Sequence, residues 1–214
     1  MVDAFVNNLM RLSELLKRSE SFLPVFNRSP LPFECPVRID NSRVHGKGVF
    51  ATRDIKEGEI VTFYPCDLYM SDTDATRTYW RIGDCDRGRV MELATNGDYT
   101  YGGTIIGLPE KTEHPWFLGH MVNDGALITS RTRGKLAKQG IVYTRCSMAR
   151  QNTVFKEYTI SGTICTVGLQ ATRDIKSGEE LFVCYGAPYW LSKYHGRIDT
   201  DRLFTDMSRI MMNV

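Results

Sequence analysis

Short apolar runs separated by charged residues and glycines dominate the chain from residue 37 to residue 63, and again from 163 to 183. Such runs between turn-forming residues are typical of short β-strands joined by tight connections. Helical patterning is concentrated at the two ends of the sequence. We therefore predict a mostly β, α+β fold in which helices flank a β-rich centre.

A hairpin is predicted near the middle of the chain. The turn-forming triplet Asn-Gly-Asp at residues 96–98 comes just before Tyr99 and Tyr101, and an apolar pair follows at residues 105–106. Asn-Gly beside β-forming residues favours a tight β-turn. Residues 71–93 mix helical and loop patterns and receive no assignment.

Helices are predicted at both ends. Apolar residues recur at near-helical spacing through residues 4–23, which predicts an amphipathic helix that serves either as a scaffold or dimer helix or as a substrate contact. Prolines then make residues 24–36 an extended connector, so that 1–36 forms an N-terminal segment. Apolar side chains among charges from Trp190 onward predict a final helix, with residues 192–214 as a C-terminal helical tail.

The sequence contains an internal repeat. Residues 51–59 (A-T-R-D-I-K-E-G-E) recur almost letter for letter as residues 171–179 (A-T-R-D-I-K-S-G-E), and apolar runs flank both copies. Each copy therefore has the pattern of a strand, a charged turn with glycine, and a second strand. The residues that are candidates for a functional site lie between the two copies or beside them.

Composition fits an ordinary globular protein. Of the 214 residues, 42 % are hydrophobic and 24 % are charged, which suits one sizeable domain, expected over residues 37–191. No apolar run is long enough to span a bilayer, and the charges within the first 23 residues do not fit a secretion signal. The six cysteines lack the close pairing of zinc ligands, so we expect free thiols in a reducing compartment and no metal.

A basic insertion lies at residues 126–150. It contains six Lys and Arg residues and no Asp or Glu. Most such runs are solvated loops, and the alternative is an electrostatic contact with a partner. Because the net charge is only +2, contact with nucleic acid is expected only through residues 131–150.

Four short segments carry residue types that are common in functional sites. Each alone also fits an ordinary turn or a core tyrosine at a strand end. They are residues 46–51 (G-K-G-V-F-A), 119–125 (G-H-M-V-N-D-G), 151–152 (Q-N) and 178–186 (G-E-E-L-F-V-C-Y-G). The glycines of the first segment allow the backbone to approach a ligand closely.

In this order, the four segments resemble the motifs of the SET-domain protein-lysine methyltransferases. That family has a G-x-G turn, an Asn-His pair followed later by Pro-Asn, and a closing G-E-E/Q-L-x-x-x-Y-G. Here Asn123-Asp124 and Gln151-Asn152 stand at the second and third places, and residues 178–186 match the last without a gap. The resemblance covers about residues 37–191. It implies short curled β-sheets with a knot-like C-terminal segment, as in small viral and protist-type members without a zinc-binding C-terminal segment.

The resemblance also implies roles for individual residues. Tyr185 would be the catalytic tyrosine, and Val183, two positions before it, would admit di- or trimethylation. Lys47 and Gly48 would contact S-adenosylmethionine through their backbone. The other implied cofactor residues are Val49, Phe50, Asn123, Asp124 (accepting from the adenine amino group) and Trp190 (stacked on the adenine, or else in the core). The implied walls of the lysine channel are Tyr64, Tyr99 and Tyr101, each equally consistent with core packing.

The implied activity is methyl transfer from S-adenosylmethionine to a lysine of a protein substrate. Histone tails are one candidate, which would place the protein in the nucleus on chromatin; another substrate would fit the cytoplasm. Membrane contact is not expected, and the oligomeric state is open. One alternative is a non-catalytic SET-like module that binds a protein partner. A more remote alternative is a β-rich structural protein in which all four segments are ordinary turns.

Overall fold

The structure, a computed structural model, describes residues 34–65, 68–71, 89–93, 103–128, 135–160 and 163–212. Short strands dominate these described residues, which also contain three α-helices. The strands are β1 (Val37–Asn41), β2 (Lys47–Ala51), β3 (Ile60–Phe63), β4 (Leu68–Ser71), β5 (Arg89–Leu93), β6 (Gly103–Gly107), β7 (Asn123–Asp124), β8 (Thr153–Ile160), β9 (Thr163–Ala171) and β10 (Phe182–Val183). The helices are α1 (Leu136–Arg150), α2 (Ala187–His195) and α3 (Thr200–Met212).

The strands of the described residues form small sheets of two or three members. β1 pairs with β2 antiparallel, and β10 pairs with β7 parallel. The remaining sheets have the strand orders β3-β9-β8 and β4-β6-β5. The predicted mostly β, α+β class is therefore confirmed.

The chain divides into two compact units, and each is assembled from separate stretches of sequence. The first contains Met1–Cys35, Val61–His120 and Lys156–Leu169. The second contains Pro36–Ile60, Met121–Phe155 and Gln170–Val214. Gly48, Asn123 and Tyr185 all belong to the second unit.

The first unit contains the β4-β6-β5 sheet. β5 and β6 pair antiparallel, with Met91 opposite Ile105, so a hairpin is present where one was predicted. Its first strand is Arg89–Leu93, and the predicted turn at residues 96–98 lies outside the described residues, as do residues 99–101.

The internal repeat forms one feature of the second unit, which we call the paired turns (residues 51–59 and 171–179). Ile55 and Ile175 lie opposite each other, and each donates its N–H to the other's carbonyl at 2.9 Å. Lys56 Nζ contacts Asp174 at 2.7 Å, and the equivalent Lys176 Nζ contacts Asp54 at 2.9 Å. The two copies are therefore related by a local two-fold arrangement in which each is the other's partner.

Much of the basic insertion is helical, which corrects the prediction of a solvated loop. Helix α1 buries Ala137, Gly140 and Ile141, which share one helix face, and also buries Tyr143 and Ser147, which lie one turn apart. Its basic side chains are exposed, so the alternative of a partner contact stays a prediction. They are Lys138, Arg145 and Arg150, with Lys135 just before the helix, while Arg131 and Arg133 lie outside the described residues.

The C-terminal region contains two helices rather than the predicted single one. α2 begins at Ala187, inside the segment assigned to the central domain, and ends at His195; α3 follows from Thr200. Both pack with α1 in one apolar cluster. Its members include Ile141, Tyr143, Trp190, Leu191, Leu203 and Met207. The predicted N-terminal helix, residues 4–23, lies outside the described residues.

Two further observations concern only the part of the chain that the structure describes. None of its helices has the length and apolarity that crossing a bilayer requires, and no three His, Cys, Asp or Glu side chains are grouped to bind a metal ion. Cys35, Cys146 and Cys184 are not in disulfide bonds.

Candidate active site

The G-x-G turn connects strands β1 and β2. Ser42 N donates to Gly46 O at 2.8 Å, and Gly46 has a φ of +52°, in the left-handed region that favours glycine. The Ser42 hydroxyl accepts from Val44 N at 2.9 Å, which fixes the turn from within. β2 then begins with Lys47, whose side chain is exposed, and Gly48, which is buried.

Gly48 lies where a side chain does not fit. A Cβ atom at this position would collide with the carboxylate of Glu180 and come within 2.9 Å of the amide nitrogen of Asn123. The backbone of β2 therefore runs directly against two polar side chains. Glycine is needed here for close approach rather than for an unusual φ.

Asn123 connects the turn to Glu180. Its Nδ2 lies 3.1 Å from His45 O, 3.1 Å from Lys47 O and 3.0 Å from Glu180 Oε1. Glu180 also accepts from the Ser42 hydroxyl at 3.0 Å. Two backbone carbonyls and a carboxylate thus surround one amide nitrogen. Because carbonyl and carboxylate oxygens each have more than one acceptor site, this cluster is suited to a cationic donor such as an ammonium group.

Three distant segments meet at the parallel pair of β7 and β10. Phe182 pairs with Asn123, and Val183 pairs with Asp124. Asn152 binds β10 on its other side, since Phe182 N donates to Asn152 Oδ1 at 2.7 Å and Asn152 Nδ2 donates to Glu180 O at 2.8 Å. The second and third sequence motifs therefore both contact the last one.

Asp124 is a buried carboxylate surrounded by hydrogen-bond donors. Its side chain accepts two bonds from backbone amides and three from side chains, which offsets the cost of burying a charge. The donors are Ala126 N (3.0 Å) and Ser147 Oγ (2.5 Å) to Oδ1, and Tyr185 N (3.0 Å), Trp190 Nε1 (2.9 Å) and the Tyr143 hydroxyl to Oδ2.

Tyr185 follows β10, and both its backbone and its side-chain hydroxyl are held by hydrogen bonds. Its backbone N–H donates to Asp124, and its hydroxyl donates to Val122 O at 2.5 Å. The ring is half-buried, stacked on Trp190 at 6.1 Å between centroids and edge-on to Tyr189 at 5.1 Å. The phenol is thus fixed in position and partly open to solvent.

Tyr143 connects helix α1 to the backbone beside Tyr185. Its hydroxyl donates to Asp124 and accepts from Gly186 N at 3.0 Å. Burial, and after it the hydrogen bond to the Asp124 carboxylate, raises the pKa of Tyr143 above the ordinary tyrosine value. The hydroxyl therefore stays protonated and keeps donating at any physiological pH.

The second unit brings together most of the residues predicted for the cofactor and the reaction. The hydrogen-bonded cluster around Glu180 includes Lys47, Gly48 and Asn123. Tyr185 follows β10, the strand that pairs with β7. Val183, predicted to limit methylation, is 2 % exposed on that strand. Their roles in binding and catalysis stay predictions.

Two predicted cofactor contacts are corrected. A carboxylate has about four lone-pair sites, and five protein donors already occupy that of Asp124, so it has none left for an adenine amino group. The indole of Trp190 is only 4 % exposed and belongs to the apolar cluster of the helices, so it is not open to an adenine ring. The core alternative for Trp190 is the correct one.

Other predicted residues are buried or lie elsewhere. Val49 is fully buried, and the ring of Phe50 lies under the guanidinium of Arg38 at 5.9 Å. Tyr64 belongs to the first unit, where it is buried and packs edge-on against His120, as the core alternative expects. Tyr99 and Tyr101 lie outside the described residues.

Several residues of the site were not identified from the sequence. Glu180 lies within the closing motif, but nothing local indicates that its carboxylate faces Gly48. Tyr143 and Ser147 are four residues apart, so a helical assignment would have placed them on one face. The many basic residues of the insertion instead favoured the prediction of a solvated loop.

Comparison with known proteins identifies the family. Residues 46–186 match the family model of the SET domain. Among solved structures, CpSET8 from Cryptosporidium is similar at 19 % identity with a TM-score of 0.47, over 70 % of this chain and 57 % of that one. ATXR5 in complex with histone H3.1 mono-methylated on R26 is similar at 21 % identity with a TM-score of 0.45, over 70 % of this chain and 56 % of that one.

The ATXR5 SET domain in complex with histone H3 di-methylated on R26 is similar at 23 % identity with a TM-score of 0.45, over 70 % of this chain and 57 % of that one. The matched region thus corresponds to a little more than half the length of each of these solved chains. A comparison with curated proteins finds no match. Because the family match spans well over half of its sequence, the chain belongs to the SET domain family.

Proposed function

We propose that this protein is an S-adenosylmethionine-dependent protein-lysine N-methyltransferase in which Tyr185 is the catalytic tyrosine. The observation that carries the proposal is the position of the Tyr185 phenol, half-buried and held at Val122 O, in the unit that also contains the G-x-G turn. Membership of the SET domain family supports the same reaction.

The residues around the G-x-G turn fit the amino-acid end of S-adenosylmethionine. That end carries an ammonium group, and the carbonyls of His45 and Lys47 with the carboxylate of Glu180 supply acceptors for it. The exposed Lys47 side chain is a candidate partner for the cofactor's carboxylate. When bound, S-adenosylmethionine supplies an electrophilic methyl group on a sulfonium.

The substrate lysine must reach the site as a neutral amine. With an ordinary pKa near 10.4, deprotonation at pH 7.5 costs about 4 kcal/mol. Desolvation and a neighbouring positive charge both lower an amine's pKa, so no carboxylate base is required. Alignment of the amine with the methyl group can contribute roughly 7–11 kcal/mol to lowering the barrier.

Tyr185 acts by orienting the reacting groups. Because its hydroxyl donates its proton to Val122 O, the phenol oxygen acts towards the reacting groups as an acceptor. An acceptor beside the transferred methyl group stabilises the positive charge that this carbon carries. The backbone bond to Asp124 and the ring stacking on Trp190 keep the phenol from moving during transfer.

The proposed substrate is a lysine-containing peptide segment, with histone tails as one class to test. A histone substrate would place the protein on chromatin in the nucleus. Val183 precedes Tyr185 by two residues and lacks the bulk of Tyr or Phe, so we expect di- or trimethylated product.

The test uses the whole chain with radiolabelled S-adenosylmethionine, presented separately with purified histones and with a cell extract. Mass spectrometry then identifies the labelled residue and the number of methyl groups. We expect label on lysine, carrying two or three methyl groups under excess cofactor. Label on another residue type, or none in either mixture, contradicts the proposed reaction; only monomethyl-lysine contradicts the role of Val183.

A further inference from the structure

The buried face of helix α1 makes side-chain hydrogen bonds to Asp124, which a solvent-exposed loop would not make. Its buried face carries Tyr143 and Ser147, one helical turn apart, and both hydroxyls donate to Asp124. Ser147 is fully buried and Tyr143 is 2 % exposed. Two polar side chains on the inward face of a helix are costly unless they are satisfied, and here one carboxylate satisfies both.

The same carboxylate binds the chain at Tyr185. Asp124 Oδ2 accepts the Tyr185 N–H at 3.0 Å, while the Tyr143 hydroxyl accepts the next amide, Gly186 N, at 3.0 Å. The peptide groups on both sides of the Tyr185 side chain are therefore fixed from α1 and β7. Gly186 has a φ of +91°, a backbone conformation that favours glycine, so these bonds fix the chain at a position where most other residues would be strained.

Trp190 completes the arrangement from α2. Its indole N–H donates to Asp124 Oδ2 at 2.9 Å, and its ring stacks on that of Tyr185. The phenol itself ends at Val122 O, two residues before Asp124. The backbone of Tyr185 is thus held by Asp124 itself and its ring by Trp190, which donates to Asp124. Its hydroxyl is held by Val122, two residues before Asp124.

We propose that Asp124 and Tyr143 are positioning residues for Tyr185, and that helix α1 is the support which aims the catalytic phenol. The inference rests on the proposed function, since it assigns a role in that reaction. It does not involve the cluster around Glu180, which is held by Asn123 and Ser42 through separate bonds. Loss of the support should therefore affect the rate of transfer rather than the binding of the cofactor.

The test compares Tyr143→Phe with wild type. The substitution keeps the ring in the apolar cluster but removes one donor to Asp124 and the acceptor for Gly186 N. We expect kcat to fall at least about tenfold, while KM for S-adenosylmethionine stays within about threefold. We also expect the amides of Tyr185 and Gly186 to exchange hydrogen at least about tenfold faster in the variant.

Met207→Ala is the matched control for general loosening. Met207 is buried on α3 against Gly140 of α1, so its loss destabilises the same cluster without touching Asp124. We expect it to lower the melting temperature and leave kcat within about twofold. If Tyr143→Phe does not fold, Ser147→Ala removes a single donor from Oδ1 and is expected to lower kcat about threefold.

The outcomes separate this inference from the proposed function. An active wild type whose kcat is the same in Tyr143→Phe overturns the inference and leaves the function standing. A fall in kcat no larger than that of Met207→Ala also overturns it. If wild type transfers no methyl group, the proposed function fails, and amide exchange decides: unchanged exchange at Tyr185 and Gly186 in the variant overturns the support by α1.

Discussion

The hydroxyl of Tyr185 is the atom on which the proposed chemistry depends. It donates to Val122 O at 2.5 Å, and its ring lies against Trp190 and Tyr189. Removing the hydroxyl leaves the ring packing intact, so a phenylalanine at this position isolates the contribution of one oxygen atom.

We predict that Tyr185→Phe lowers the methylation rate at least about tenfold, equivalent to about 1.4 kcal/mol in the activation barrier. The matched control is Tyr194→Phe, which removes a hydroxyl from an exposed position on α2. Initial rates with labelled cofactor measure the effect, and circular dichroism checks the fold. A Tyr185→Phe variant as fast as the control would remove Tyr185 from the mechanism.

Gly48 is the second residue on which the proposed function depends, because its neighbours leave no room for the Cβ methyl group of an alanine. The Glu180 carboxylate that would collide with a Cβ atom is itself held by Asn123 and Ser42. A side chain at position 48 must therefore displace the carboxylate and break the cluster of acceptors around the turn.

We predict that Gly48→Ala weakens S-adenosylmethionine binding at least about tenfold, equivalent to about 1.4 kcal/mol. Gly58→Asn is the control. Gly58 has a φ of +82° but nothing within 4 Å of its Cβ direction, so this change tests backbone strain without collision. Calorimetric titration measures both variants. Equal affinity in Gly48→Ala and wild type would show that the cofactor binds elsewhere.

At the scale of elements, the paired turns explain why the sequence repeats itself. Each copy donates to and accepts from the other, through the backbone of Ile55 and Ile175 and through the reciprocal Lys-Asp contacts. A change in one copy therefore alters the partner of the other. The exposed ion pairs contribute little by themselves, whereas the two isoleucines are fully buried.

We predict that Ile55→Ala and Ile175→Ala each lower the free energy of unfolding by about 2–5 kcal/mol. Because the two side chains are opposite neighbours, the double variant should depart from the sum of the single effects by at least about 0.5 kcal/mol. Urea denaturation measures all three. Val142→Ala, at an exposed position on α1, is the control and should change stability by no more than about 0.5 kcal/mol. Strict additivity would contradict the pairing.

The elements also show what local patterns can and cannot indicate. The strands on either side of residues 51–59 are predictable from the sequence, since apolar runs and turn residues alternate there. Helix α1 was missed because its buried face includes Gln139, Gly140 and Ser147, which weaken the apolar periodicity. Gly140 nevertheless packs closely, since a Cβ atom there would lie 2.9 Å from Met207 Sδ and would require that side chain to shift.

The sequence also contains residues from which the start and end of α2 could be predicted. Gly186 precedes its first residue, Pro188 lies in its first turn and Gly196 follows its last residue, a combination typical of helix boundaries. The partners of Asp124, in contrast, come from four separate segments. No local pattern could indicate that this aspartate binds α1 and α2 instead of a ligand.

At the scale of the whole molecule, the order of motifs carried more information than any one of them. The G-x-G turn, Asn123 and the closing segment are far apart in sequence, and the second unit gathers all of them. Their order in the sequence indicates the SET family without any knowledge of the contacts. The contacts add that Glu180 faces Gly48 and Asn123, and that Trp190 belongs to the apolar cluster of the helices.

Calorimetric titration of the 214-residue chain with S-adenosylmethionine is the measurement on which the proposed function depends most, because cofactor binding can be measured without knowing the substrate. We predict saturable binding at one site per chain. A folded protein that gives no binding heat and no shift in melting temperature with S-adenosylmethionine would contradict it, and would favour a SET-like module that binds a protein partner without catalysis.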